Sequence, residues 1–144
     1  MELSRETFTT REQRHAYLLL RLVTGFDFFG HGFARIFTGQ HLTAFAQGMV
    51  KSMAATPLPP SLALATGYAV PCIELLIGLL LLSGVFVRFA LTFALLLMMV
   101  LMFGITLKQD WATAGLQLTY AFILAALLFA RERYDISWPA LFRR

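Results

Sequence analysis

The residues best equipped for chemistry occur where a charge is most expensive. Between Ala16 and Phe37 an otherwise apolar run carries Arg21, Asp27, His31 and Arg35. If that run crosses a bilayer, each charged group costs at least about 2.5–3.5 kcal/mol on insertion scales, so each needs a partner or a task. At about 100° per helical residue, with Arg21 as zero, Asp27 falls near about −120°, His31 near −80° and Arg35 near −40°. All four then share about a third of the circumference. Asp27, His31 and Arg35 also follow one another at i, i+4 and i+8, a spacing at which neighbours touch. The pattern predicts one polar ladder turned toward the interior of a helix bundle. A further carboxylate, Glu74, stands midway along a second apolar run, within Pro71-Cys-Ile-Glu74-Leu-Leu-Ile-Gly78, and Gln117 and Tyr120 lie one turn apart in a later one.

These groups suit proton transfer and the binding of a weakly polar head group. Glu74, Asp27 and His31 are candidate catalytic groups, able to accept and donate protons, because burial and neighbouring charge tune carboxylates and imidazoles. Arg21, Arg35, Arg88, Gln117 and Tyr120 are candidate substrate-binding groups. The expected pocket is lined by Asp27, His31, Arg35, Glu74, Gln117 and Tyr120, with Arg21 deeper in the membrane. A quinone fits such a site, its carbonyls facing His31, Arg35 or Tyr120 and its tail leaving between helices. A small oxyanion held by Arg35 and Arg21 also fits. Structural readings stand beside these: Arg21 can pair with Asp27 or Glu74 or snorkel to the surface, and Arg35 and Arg88 lie close enough to span ends to do the same.

Electron transfer needs an outside source. The histidines are His15, His31 and His41, with no pair placed to hold a haem across the membrane. The single cysteine, Cys72, excludes a dithiol within one chain and reads as a small packing residue. Met98, Met99 and Met102 read as apolar filler, and no metal site is expected.

The elements that must position these residues are membrane spans. Hydrophobic residues make up 58% of 144 and charged ones 14%, with a mean hydropathy of +0.70, beyond what a soluble core requires. Four stretches reach the roughly 20 residues of a spanning helix: about 16–37, 61–83, 86–107 and 112–130. The expected fold is all-α, a single integral membrane domain over 1–144 forming an antiparallel four-helix bundle. Between spans one and two, Leu42, Phe45, Ala46, Met49, Val50 and Met53 recur at helical spacing, predicting a short interfacial amphipathic helix over about 41–54, placed as a lid or as an ordinary packed loop. The run Thr56-Pro-Leu-Pro-Pro60 ends it. A polar head ahead of the first span, without a small-residue cleavage site, argues against a removable signal peptide.

The net charge of +4 and pI near 9.7 do not indicate nucleic acid, since the basic residues cluster at span ends. Arg5, Arg11, Arg14, Arg88, Arg131, Arg133, Arg143 and Arg144 collect on one side if the spans alternate, predicting an inner-membrane protein with both termini cytoplasmic. Trp111, Tyr134 and Trp138 stand where interfacial aromatics belong.

The run Leu20-Arg21, Gly25 and His31-Gly32-Phe33-Ala34-Arg35, the Pro turn at 56–60, Pro71-x-x-Glu74-Leu-x-x-Gly78 and the turn Ser83-Gly84-Val85-Phe86-Val87-Arg88 resemble the DoxX/DoxD-like family. The resemblance extends over roughly Tyr17 to Ala130 and implies a four-helix membrane protein. Its DoxD branch implies the small membrane subunit of a thiosulfate:quinone oxidoreductase, with quinone as the bound molecule and a separate redox subunit or further copies of the chain as partners. By position it implies Arg21, His31, Arg35, Glu74 and Arg88 as motif residues, and it sets Gln117 where relatives often carry a polar or acidic group. Two other classes suit the same buried charge: a component of a small-solute transporter or channel, and a non-catalytic assembly subunit.

Overall fold

The structure is a computed structural model that describes residues 2–38 and 41–135, the side chains of 2–10 excepted. Trp138, Arg143 and Arg144 lie outside the described residues, as does the side chain of Arg5. Five helices occur among the described residues, with no strand: α1 (Glu2–Phe37), α2 (Leu42–Met53), α3 (Pro60–Ser83), α4 (Val87–Leu107) and α5 (Trp111–Tyr134). Neither glycine nor proline occurs from Glu2 to Thr24, so α1 runs back without a break through the polar head that precedes the first apolar run.

The boundaries follow from local chemistry. Pro60 opens α3 at the one helical position where a missing N–H costs nothing. Gly84, in the left-handed region at φ 74°, closes it and donates its amide to the Leu80 carbonyl. Phe86 also takes a positive φ of 52°, so the chain reverses within three residues. Asp110 caps α5, its carboxylate accepting from the Thr113 amide at 3.1 Å and the Thr113 hydroxyl at 2.7 Å.

Helices α3, α4 and α5 are each long and apolar enough to cross a membrane. α1 is not among them, because Arg21, Asp27 and Arg35 interrupt its apolar run. Large apolar side chains such as Phe122, Phe129, Met99 and Phe103 point outward, an arrangement that suits lipid and not water.

α1 packs most extensively on α3, in the antiparallel sense. A Cβ added at Gly32 would stand 2.5 Å from the Leu75 amide nitrogen, and one at Gly78 would stand 2.3 Å from that of Phe29. The two backbones therefore touch directly, as small residues allow within membranes. α4 joins α3 and α5 around a core that includes Leu81, Leu91, Leu124 and Leu127, all fully buried. α5 returns to meet α1.

α2 has the predicted extent and the predicted apolar face, but that face is turned onto protein. Ala46 is wholly buried, its backbone lies against Gly67 of α3, and the Met53 methyl reaches Gly104 of α4. The apolar face of the expected interfacial helix is thus covered by α3 and α4. Cys72 departs from its expected packing role, since it is exposed on α3.

Candidate functional site

α1 presents its charged residues in a spiral. Its buried stripe runs through Tyr17, Arg21, Thr24, Gly25, Phe28 and Gly32. Each i to i+4 step advances about 40° around the axis, so Asp27, His31 and Arg35 move in turn from the flank of that stripe to its centre. Arg35, nearest the centre, is the least exposed of the three at 28%, whereas Asp27 at 35% and His31 at 48% stay more open.

Arg35 reaches α3. Its guanidinium Nη1 donates to Oε2 of Glu74, whose side chain is only 7% exposed. The other face of the Arg35 guanidinium lies 4.7 Å from the centre of the Phe45 ring on α2, within cation–π range. One side chain thus ties α1, α2 and α3 together. One turn back, His31 Nε2 stands 3.6 Å from Asp27 Oδ1, too far for a hydrogen bond. Tyr120 of α5 lies beside Asp27. A groove of about 400 Å³ runs along α1 itself, lined by Phe26, Asp27, Gly30, His31, Ala34 and Arg35; Glu74 stands behind it, paired with Arg35.

Five of the six residues expected to share a pocket are therefore neighbours: Asp27, His31, Arg35, Glu74 and Tyr120. Two features differ from expectation. The groove opens outward from α1 and is not enclosed by the bundle, because only Arg35 has rotated far enough to face α3. Gln117 faces elsewhere, into a cleft of about 470 Å³ between α4 and α5 lined by Met98, Met99, Met102 and Phe103 among others, where its amide oxygen is buried without a hydrogen-bond partner among the described residues.

Arg21 belongs to a different cluster. About 21 Å of helix separates it from Arg35. It pairs with neither Asp27 nor Glu74: its Nη1 stands 3.1 Å from Oδ1 of Asp135, both side chains 5% exposed. The guanidinium also fills the space beside Gly84, where an added Cβ would stand 2.9 Å from it. A single cation thus meets the C-terminal ends of α3 and α5, where helix dipoles favour positive charge. Tyr17, one turn earlier and buried, has no hydrogen-bond partner for its hydroxyl among the described residues. Arg88 is exposed in the first turn of α4, beyond the α3–α4 turn and about 14 Å of helix from the level of Glu74. Neither arginine lines the groove.

Three participants escape sequence reasoning. Asp135 lies past the end of the fourth apolar run, Phe45 is one of several apolar residues on α2, and Tyr17 sits at the polar edge of α1. Only Tyr17 left a usable signal, its i, i+4 relation to Arg21.

The sequence profile described as DoxX matches residues 16–107. This chain belongs to the DoxX family. No curated protein matches it, and no solved structure does. The DoxX match and three apolar helices make it an integral membrane protein. The matched region holds Arg35, Glu74, Asp27, His31 and Phe45 and ends with α4. Tyr120, Gln117 and Asp135 come from α5, outside it.

Proposed function

We propose that this DoxX protein crosses the bilayer four times, with α1 as the first span, and binds a quinone or similar small polar-headed molecule against Arg35, Glu74, His31, Asp27 and Tyr120, in support of sulfur- or thiol-linked oxidoreduction. The observation that carries the reading is the coupling of the buried Arg35–Glu74 pair to a ladder of donors and acceptors along a groove open to the membrane. Four spans are supported by the close α1–α3 contact at Gly32 and Gly78, which holds α1 against a helix long and apolar enough to cross. The charge of α1 then lies at bilayer depth, where ionisable residues mark functional sites.

The groove's chemistry suits a ring with two carbonyls and an apolar tail. Arg35, His31 and Tyr120 offer donors to a carbonyl oxygen, Asp27 and Glu74 can take or supply protons, and Phe26 offers apolar contact. A tail leaves directly into lipid because the groove has no outer wall. Electrons come from a reduced sulfur compound or a partner subunit. The DoxD-type role, as small subunit of a thiosulfate:quinone oxidoreductase, is the specific form of this proposal. Positive charge near the ends of the chain supports cytoplasmic termini.

The test is Glu74→Gln. Lipid extracts of the purified native protein should contain quinone, and the variant should lose it together with quinone-dependent electron transfer by the membrane. A variant that melts earlier yet keeps both would leave the pair as a helix lock and remove the quinone reading.

A further inference from the structure

We infer that the open face of α1 is closed by the same face of a second copy of this chain, so that the groove is completed at a twofold interface. The inference rests on α1 being a membrane span, and does not depend on which molecule occupies the groove.

The first support is depth against exposure. Asp27 is eleven residues from Ala16, about 16 Å along the helix and so near the middle of a hydrocarbon layer of about 30 Å. There Asp27 and His31 are one third and one half exposed, and every lining residue of the groove comes from α1. Lipid tails supply neither donors nor acceptors. At 3.6 Å the two side chains do not hydrogen-bond each other; Asp27 also lies beside Tyr120 of α5, and a carboxylate with several acceptor positions keeps capacity beyond that one neighbour.

The second support is complementarity. The face carries an acceptor, Asp27, and one turn above it an imidazole donor, His31, with Arg35 a further turn on. Across a twofold axis along the membrane normal, like positions sit at equal height. The Asp27 of one copy and the His31 of the other differ by about 6 Å in height, a gap that two side chains meeting diagonally can close. A patch that complements itself is the requirement for an isologous dimer.

Shape permits the contact without rearrangement. No heavy atom lies within 4 Å of where a Cβ would stand on Gly30, and Ala34, one turn on, is exposed. A second helix can approach there closely, while the exposed rings of Phe26, Phe33 and Phe37 form an apolar rim. Two grooves set face to face then enclose one cavity to which each copy contributes its own Asp27 and His31.

Disulfide trapping in native membranes tests the interface. In a Cys72→Ser background, Ala34→Cys should crosslink under mild oxidation at least tenfold faster than Phe122→Cys on the exposed face of α5, since bridging needs Cα atoms within about 7 Å. Native mass measurement in lipid nanodiscs should give twice the 16.2 kDa chain mass. Asp27→His should weaken the dimer, and the exchanged pair Asp27→His with His31→Asp should restore it. Crosslinking no faster than the Phe122→Cys control, with a single-chain mass, overturns the inference. A dimer without quinone keeps the interface and rejects the quinone reading; a single chain holding quinone does the reverse.

Discussion

At the level of single residues, the Arg35–Glu74 pair is the costliest feature of the site. Glu74→Leu leaves Arg35 without its carboxylate beside α3. Removing one member of a buried pair costs about 3–5 kcal/mol, and the partial exposure of Arg35 sets the expectation at the lower end. Thermal unfolding in detergent should register this loss, and Glu74→Leu combined with Arg35→Met should recover most of it. The Asp110 cap makes a separate prediction about pH. Hydrogen bonds from the Thr113 side chain and amide hold its carboxyl below the usual carboxylate range. A group whose pKa falls on folding stabilises the protein above its unfolded value, near about 3.9, and loses that effect as the pH drops through the lowered folded value. The stability gap between the native chain and Asp110→Asn should therefore narrow on acidification from neutral pH.

At the level of elements, the decisive contact is the α1–α3 crossing. Gly78 meets the backbone of Phe29, which cannot swing aside as a side chain can. Gly78→Leu should cost more than about 3 kcal/mol, above the usual range for overpacking. Gly48→Leu, at a position on α2 with open space around it, should be near neutral in the same melting assay. The comparison separates close approach from general intolerance of glycine replacement. α2 was legible as an element because its apolar residues recur at helical spacing. What that face would meet was not, because an apolar stripe fits lipid and protein equally well. Only the approach of Ala46 to Gly67 decides between them.

At the level of the whole molecule, the proposal that α1 is a fourth span places both ends of the chain on one side. Reporter domains fused at either terminus should both read as cytoplasmic, whereas three spans without α1 would put them on opposite sides. The Arg21–Asp135 pair fits the four-span arrangement, since it joins the first long helix to the end of the last. The sequence by itself determined the apolar runs, the turn at Gly84, the existence of α2 and the shared face of Asp27, His31 and Arg35, because each depends on residues near one another along the chain. The partners of the charges were decided by tertiary structure alone. Spacing along α1 gives the angle between Arg21 and Arg35 but not the height and rotation at which α3 and α5 arrive. Those are set by glycine contacts and turn geometry that place Glu74 beside Arg35, Asp135 beside Arg21, and Gln117 against the methionines of α4. The same rotation left Asp27 and His31 on an outward face, so a ladder expected to point inward became an open groove.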